Sequence, residues 1–65
     1  MQEYELLAVK EKRLLDEKIE KLYHFIKGDV YKNISLIEQI LVENQRSAMV
    51  EYSDILSKRI DMFKE

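Results

Sequence analysis

Apolar residues recur every three or four positions along most of this 65-residue chain, the period of helices that bury one face. In the first half the repeat runs through Leu7, Leu14, Leu15, Ile19, Leu22, Tyr23, Phe25 and Ile26. Glu11, Lys12, Arg13, Asp16, Glu17, Glu20 and Lys21 fill the gaps, a solvated face with both signs of charge. The pattern predicts a first helix from about residue 2 to Lys27. Ile37, Ile40, Leu41, Ala48, Met49, Tyr52, Ile55, Leu56, Ile60, Met62 and Phe63 continue the period and predict a second helix over about 36–64.

The connection spans 28–35. Gly28 is expected in the left-handed conformation that ends many helices. The stretch "DVYKN" reads as a turn anchored by Val30 and Tyr31, and Ser35 with Glu38 forms a capping box at the start of the second helix. So short a connection makes the helices antiparallel neighbours, each ~40 Å long at 1.5 Å per residue. The fold class is all-α, an antiparallel two-helix hairpin.

The second helix carries more apolar surface than one neighbour can cover. Leu41, Met49, Leu56, Ile60 and Phe63 form one row, while Ile37, Ala48, Ile55 and Met62 lean toward another. One row faces the first helix, so the other needs a second chain. The hairpin is therefore expected to assemble into a homo-oligomeric helical bundle. Size points the same way, because a chain this short buries only roughly 60% of its unfolded surface. Small folds usually add disulfides, a metal or oligomerisation. Cysteine is absent and His24 is the single histidine, which leaves oligomerisation.

Charged residues at 37%, one glycine and no proline favour long helices over strands. The formal net charge of -2 argues against polymeric nucleic acid, which requires a surplus of basic residues facing phosphate. A small anionic ligand needs only a few local cations. No apolar run is long enough for a membrane span or a signal peptide, so the expected location is the cytoplasm.

Polar residues interrupt the apolar rows. Antiparallel register brings Lys18 level with Gln45, Tyr52 with Glu11, and Arg59 with Tyr4. A polar residue in such a seam can set register or oligomeric state. It can equally contact a ligand: cations would hold phosphate, a tyrosine would stack on a base, and an amide would read an edge. The candidate ligand-binding residues are Lys18, Gln45, Tyr52, Arg59 and Tyr4. His24 reads as a surface residue. Lys27 and Lys32 could hold an anion at the start of the second helix, but the Glu38 carboxylate competes for the same amides. Asp16 and Glu20 fall on the solvated face, with no isolated pair for acid–base work. No nucleophile elbow, glycine-rich phosphate loop or metal spacing is present. Enzymatic activity, a metal and a cofactor are not expected.

The runs "EKRLLDEKIEKLYHFI" and "LVENQRSAMVEYSDILSKRI" resemble a family of short proteins encoded by tailed bacteriophages. The resemblance rests on Leu15, Asp16, Lys18, Ile19, Leu22, Phe25 and Ile26, then Leu41, Gln45, Met49, Tyr52, Leu56, Arg59 and Ile60. The turn "GDVYKNIS" departs from it by being compact. In build the chain is similar to phage anti-defence sponges. These are small oligomers that hold cyclic oligonucleotides or ADP-ribose derivatives at subunit interfaces without cleaving them, and so defeat CBASS, Thoeris or type III CRISPR immunity. The resemblance implies a homo-oligomer acting in the cytoplasm of an infected bacterium on a small anionic nucleotide. The alternative is a helical interaction protein that binds or inhibits a host or phage protein.

Overall fold

The computed structural model describes residues 1–63. Three helices follow in order: α1 (Glu3–Lys27), α2 (Asp29–Asn33) and α3 (Leu36–Met62). α1 and α3 form an antiparallel hairpin 48 Å long and 14 Å across. The first helix begins within a residue of its expected start. Phe63 caps α3, and the expected end at residue 64 lies outside the described residues.

The seam between the long helices has a spacing of alternating threes and fours. On α1 it runs through Ala8, Lys12, Leu15, Ile19, Leu22 and Ile26, all buried or half-buried. On α3 it runs through Val42, Arg46, Met49, Ser53, Leu56, Ile60 and Phe63. Leu56 is fully buried, and Ala8, Leu15 and Ser53 are buried with it. The small side chains of Ala8 and Ser53 let the helix backbones approach. At the open end Tyr4 meets Phe63 edge-on with ring centroids 5.7 Å apart, a geometry the aromatic quadrupole favours. Phe25 and Tyr31 do the same at the turn, at 6.2 Å.

Two sequence expectations change here. The row Leu41, Met49, Leu56, Ile60, Phe63 does not hold together, because Leu41 is 60% exposed and Val42 takes its place against α1. A strict step of seven selects Val42, Met49 and Leu56, and tolerates Arg46 and Ser53 between them. The register also shifts: Tyr4 lies level with Phe63, one turn beyond Arg59. The cause is the connection, which is a short helix, α2, rather than a simple turn. It adds length on the C-terminal side of Gly28.

α2 is fastened through Tyr31. The Gln39 amide donates to the Tyr31 carbonyl at 2.8 Å, beside the longer bond from the Ile34 N–H at 3.4 Å. The Tyr31 hydroxyl donates to Glu43 at 3.0 Å. Tyr31 is the expected anchor, whereas Val30 is 63% exposed and anchors nothing. At the α3 start Ser35 Oγ accepts from the Glu38 amide at 3.2 Å, so the hydroxyl half of the expected capping box is formed.

Gly28 is not left-handed. Its φ of -89° and ψ of 176° are extended, because it ends α1 and opens α2 at once. An added Cβ would meet the His24 and Phe25 carbonyl oxygens at 3.5 Å, ordinary contact. This is the backbone geometry of a helix N-cap, where serine supplies an acceptor that glycine lacks. Gly28→Ser is expected to stabilise the hairpin by about 0.5–1 kcal/mol, read as a rise of several degrees in the thermal midpoint.

Candidate functional site

The hairpin has two flanks of opposite character. On one, Lys12 pairs with Asp16 at 2.7 Å and Arg13 with Glu17 at 3.4 Å. A groove of about 410 Å³ lies here among Val9, Lys12, Arg13, Asp16, Glu17, Glu20 and Ile60. Its cations already face carboxylates, so it offers little to an anion.

The other flank carries the sequence candidates. Lys18, Lys21 and Leu22 of α1 with Gln45 and Met49 of α3 border a groove of about 310 Å³. A second groove, about 250 Å³, lies between Glu11, Leu14, Leu15, Lys18 and Tyr52. Lys18 belongs to both. The structure thus brings Lys18, Gln45 and Tyr52 to one flank, in two adjoining grooves. Each groove is at or below the lower end of ligand pockets, roughly 300 Å³, and both are shallow. One copy of the chain supplies a floor and one wall.

None of the three is committed elsewhere. Gln45 reaches only Met49 Sδ, at 4.0 Å. Among the described residues, neither Lys18 nor Arg59 has an acidic partner within salt-bridge distance. Gln45 is exposed and does not break the seam with α1. The polar residues in that seam are Lys12 of α1 and Arg46 and Ser53 of α3.

Arg59 and Tyr4 stand apart from this cluster within one chain. Arg59 is exposed and lies seven residues beyond Tyr52, about 10 Å along the helix. Tyr4 packs on Phe63 at the open end, about 20 Å from the level of Lys18. The anion site considered at Lys27 and Lys32 is not assembled either. Lys27 Nζ sits 4.9 Å from the centroid of the Tyr23 ring, and Lys32 lies 3.8 Å from Asp29. His24 is at the surface as expected, 3.7 Å from Glu20.

Arg46 was overlooked in the sequence. It is half-buried, its guanidinium lies 5.2 Å from the Tyr23 ring centroid, and its Nε is buried without a hydrogen-bond partner. Its position four after Val42 is the available signal, hidden because a row through Leu41 and Gln45 competes with it. Asp16 is exposed, as its solvated face implies, yet it also reaches across the seam. Ser53 donates to it at 2.5 Å, and Lys12 bridges to both, reaching Ser53 at 2.9 Å.

A helical hairpin with one charge-paired flank and one apolar flank that holds uncommitted polar groups belongs to the class of small α-helical binding proteins. Among the described residues no helix is long and apolar enough to cross a membrane. The chain belongs to the Sequestin family, whose sequence model matches residues 8–62. The family name describes a sequestering function, one exerted by binding a partner. No curated protein and no solved structure matches the chain.

The Asp16 carboxyl is held below its ordinary range, first by the Lys12 ammonium and then by the Ser53 hydroxyl. The unfolded chain takes up this proton near roughly pH 4, while the folded chain takes it up only at lower pH. The network's contribution is therefore complete above that value and is lost as pH falls through the native pKa. Asp16→Asn is expected to flatten the acid decline of the urea midpoint below about pH 4. An unchanged acid slope would assign the decline to other carboxylates.

Proposed function

We propose that the protein is a phage anti-defence sponge that sequesters a nucleotide immune messenger at interfaces between its copies and does not cleave it. The observation that carries the reading is the flank where Lys18, Gln45 and Tyr52 come together. Lys18 would neutralise phosphate, Tyr52 would stack on a base and Gln45 would hydrogen-bond its edge. The grooves are too shallow for one copy to enclose a nucleotide, so copies complete the cavity. Arg59 and Tyr4, about 10 Å and about 20 Å away along the hairpin, would line the outer parts of the shared surface rather than this cavity. The partner implied is a small anion, a cyclic oligonucleotide or an ADP-ribose derivative, in the cytoplasm of an infected bacterium. The family name supports sequestration.

The apolar residues of the same flank favour a second reading, in which the chain docks on a host or phage protein. That reading expects a stoichiometric complex in pull-downs from infected cells, unchanged by added nucleotides.

Purified protein should deplete one of a panel of signalling nucleotides and return it intact on heating, as read by chromatography and mass spectrometry. Lys18→Ala is expected to weaken uptake roughly ten- to hundredfold, the value of a charge-assisted hydrogen bond, and to leave the assembly unchanged. Failure of every nucleotide to be depleted and recovered would sink the sponge reading. A changed assembly in Lys18→Ala would make this lysine a register device.

A further inference from the structure

We infer that a second copy of the chain covers the flank holding Lys18, Ala48 and Tyr52. The two copies run antiparallel about a two-fold axis across mid-hairpin. This specifies the interface of the oligomer on which the functional reading rests.

Exposed apolar side chains gather along this flank, although Leu6, Val9, Tyr23, Leu36 and Ile40 are exposed on other faces. By helical spacing Leu7 and Leu14 of α1 share this flank with Leu41, Tyr52, Ile55 and Met62 of α3, each at least 41% exposed. Against them, the hairpin's own buried apolar residues are Ala8, Leu15 and Leu56. The flank therefore holds more large apolar side chains than the seam fully buries, the signature of a surface meant to be covered.

Charge selects the occupant and its direction. On α1 the flank carries Glu11 toward the open end and Lys18 and Lys21 toward the turn. On α3 the order is reversed in space, with Glu38 near the turn and Arg59 near the open end. An antiparallel copy, with α1 on α1 and α3 on α3, sets Glu11 near the second copy's Lys21 and Glu38 near the second copy's Arg59. A parallel two-fold copy would lay α1 on the second copy's α3, which opposes Glu11 to Arg59 but leaves Lys21 and Glu38 with no opposite charge at their level. Shape agrees. Ala48 lies near the middle of α3 and Tyr52 one turn later, so antiparallel helices set small against large twice. The grooves at Lys18 and Gln45 from both copies then border the axis, and four half-open walls become one pocket of two-fold symmetry.

The chain has no cysteine, so single spin labels can be placed cleanly at Glu51→Cys and Asp61→Cys, both exposed positions. In the antiparallel pair the Asp61 labels should stand about 30 Å farther apart along the helix direction than the Glu51 labels, from ten residues in each copy at 1.5 Å. Ile55→Glu should weaken the pair at least roughly a hundredfold, since it removes two buried apolar side chains. Equal label separations at the two positions would overturn the inference. So would a monomer mass at tens of micromolar, or an Ile55→Glu pair as tight as the parent. A pair with the expected separations that takes up no nucleotide would support the interface and sink the sponge reading alone.

Discussion

One helix can cover only one row of another, and every feature of this molecule follows from that limit. α3 is apolar on two rows about a third of a turn apart, and α1 is its only long neighbour. α1 takes the row that includes Val42, Met49, Leu56 and Ile60. Ile37, Leu41, Tyr52, Ile55 and Met62 are left more than 40% exposed. The row that α1 takes is the one with small and polar interruptions. Ser53 is small enough for close approach and finds both Asp16 and Lys12 across the seam. Arg46 lays its guanidinium on the face of Tyr23, where cation–π attraction offsets part of the cost of its burial. The more continuous apolar row faces outward.

The all-α class and its hairpin-like arrangement were legible, because periodicity over more than twenty residues is a strong signal and Ser35 marks the α3 start chemically. Which residues form the seam was not legible. Rows through Leu41 and Val42 are separated by one position and share Met49 and Leu56. Only a seven-residue step carried along the whole helix separates them, and that step passes through Arg46 and Ser53, which hydrophobicity alone rejects. The register could not be read either, since α2 is a five-residue segment whose helical turn depends on Gln39 reaching back from α3. Gly28 misled for a similar reason. Glycine suggests a left-handed residue where a helix simply stops, but here a second helix begins at once. The candidate cluster of Lys18, Gln45 and Tyr52 survived the change of register, because the grooves span several residues along the helices. Tyr4, paired by level with Arg59, did not.

The chemistry of the two flanks differs in what its cations are doing. Lys12 and Arg13 face carboxylates, and Lys27 and Arg46 face the Tyr23 ring. Among the described residues Lys18 and Arg59 have neither, although both lie beside apolar side chains. A cation kept on an apolar flank without an acid gains nothing for the isolated hairpin, because exposed lysine and arginine are as well hydrated elsewhere. It gains when an anion arrives and water is excluded, since the same charge then acts in a lower dielectric. Among the described residues Lys10, Lys21 and Lys58 also lack an acidic partner, so what marks Lys18 is its place between the two grooves that hold Gln45 and Tyr52.

Assembly and ligand capture on that flank would share one free energy. A hairpin whose fully buried apolar residues are Ala8, Leu15 and Leu56 has a small core, and folds of this size hold few kilocalories in reserve. If the pocket exists only between copies, a ligand that binds it stabilises the assembled state by RT ln(1 + [L]/Kd), about 2.7 kcal/mol at a hundredfold excess over Kd. That is comparable to the stability a core of this size supplies. Binding would then draw chains into the assembly and the assembly would hold the ligand longer, with no cleavage step required. A sequestering protein needs little else, and the outward row of α3 is what would make such coupling possible in 65 residues.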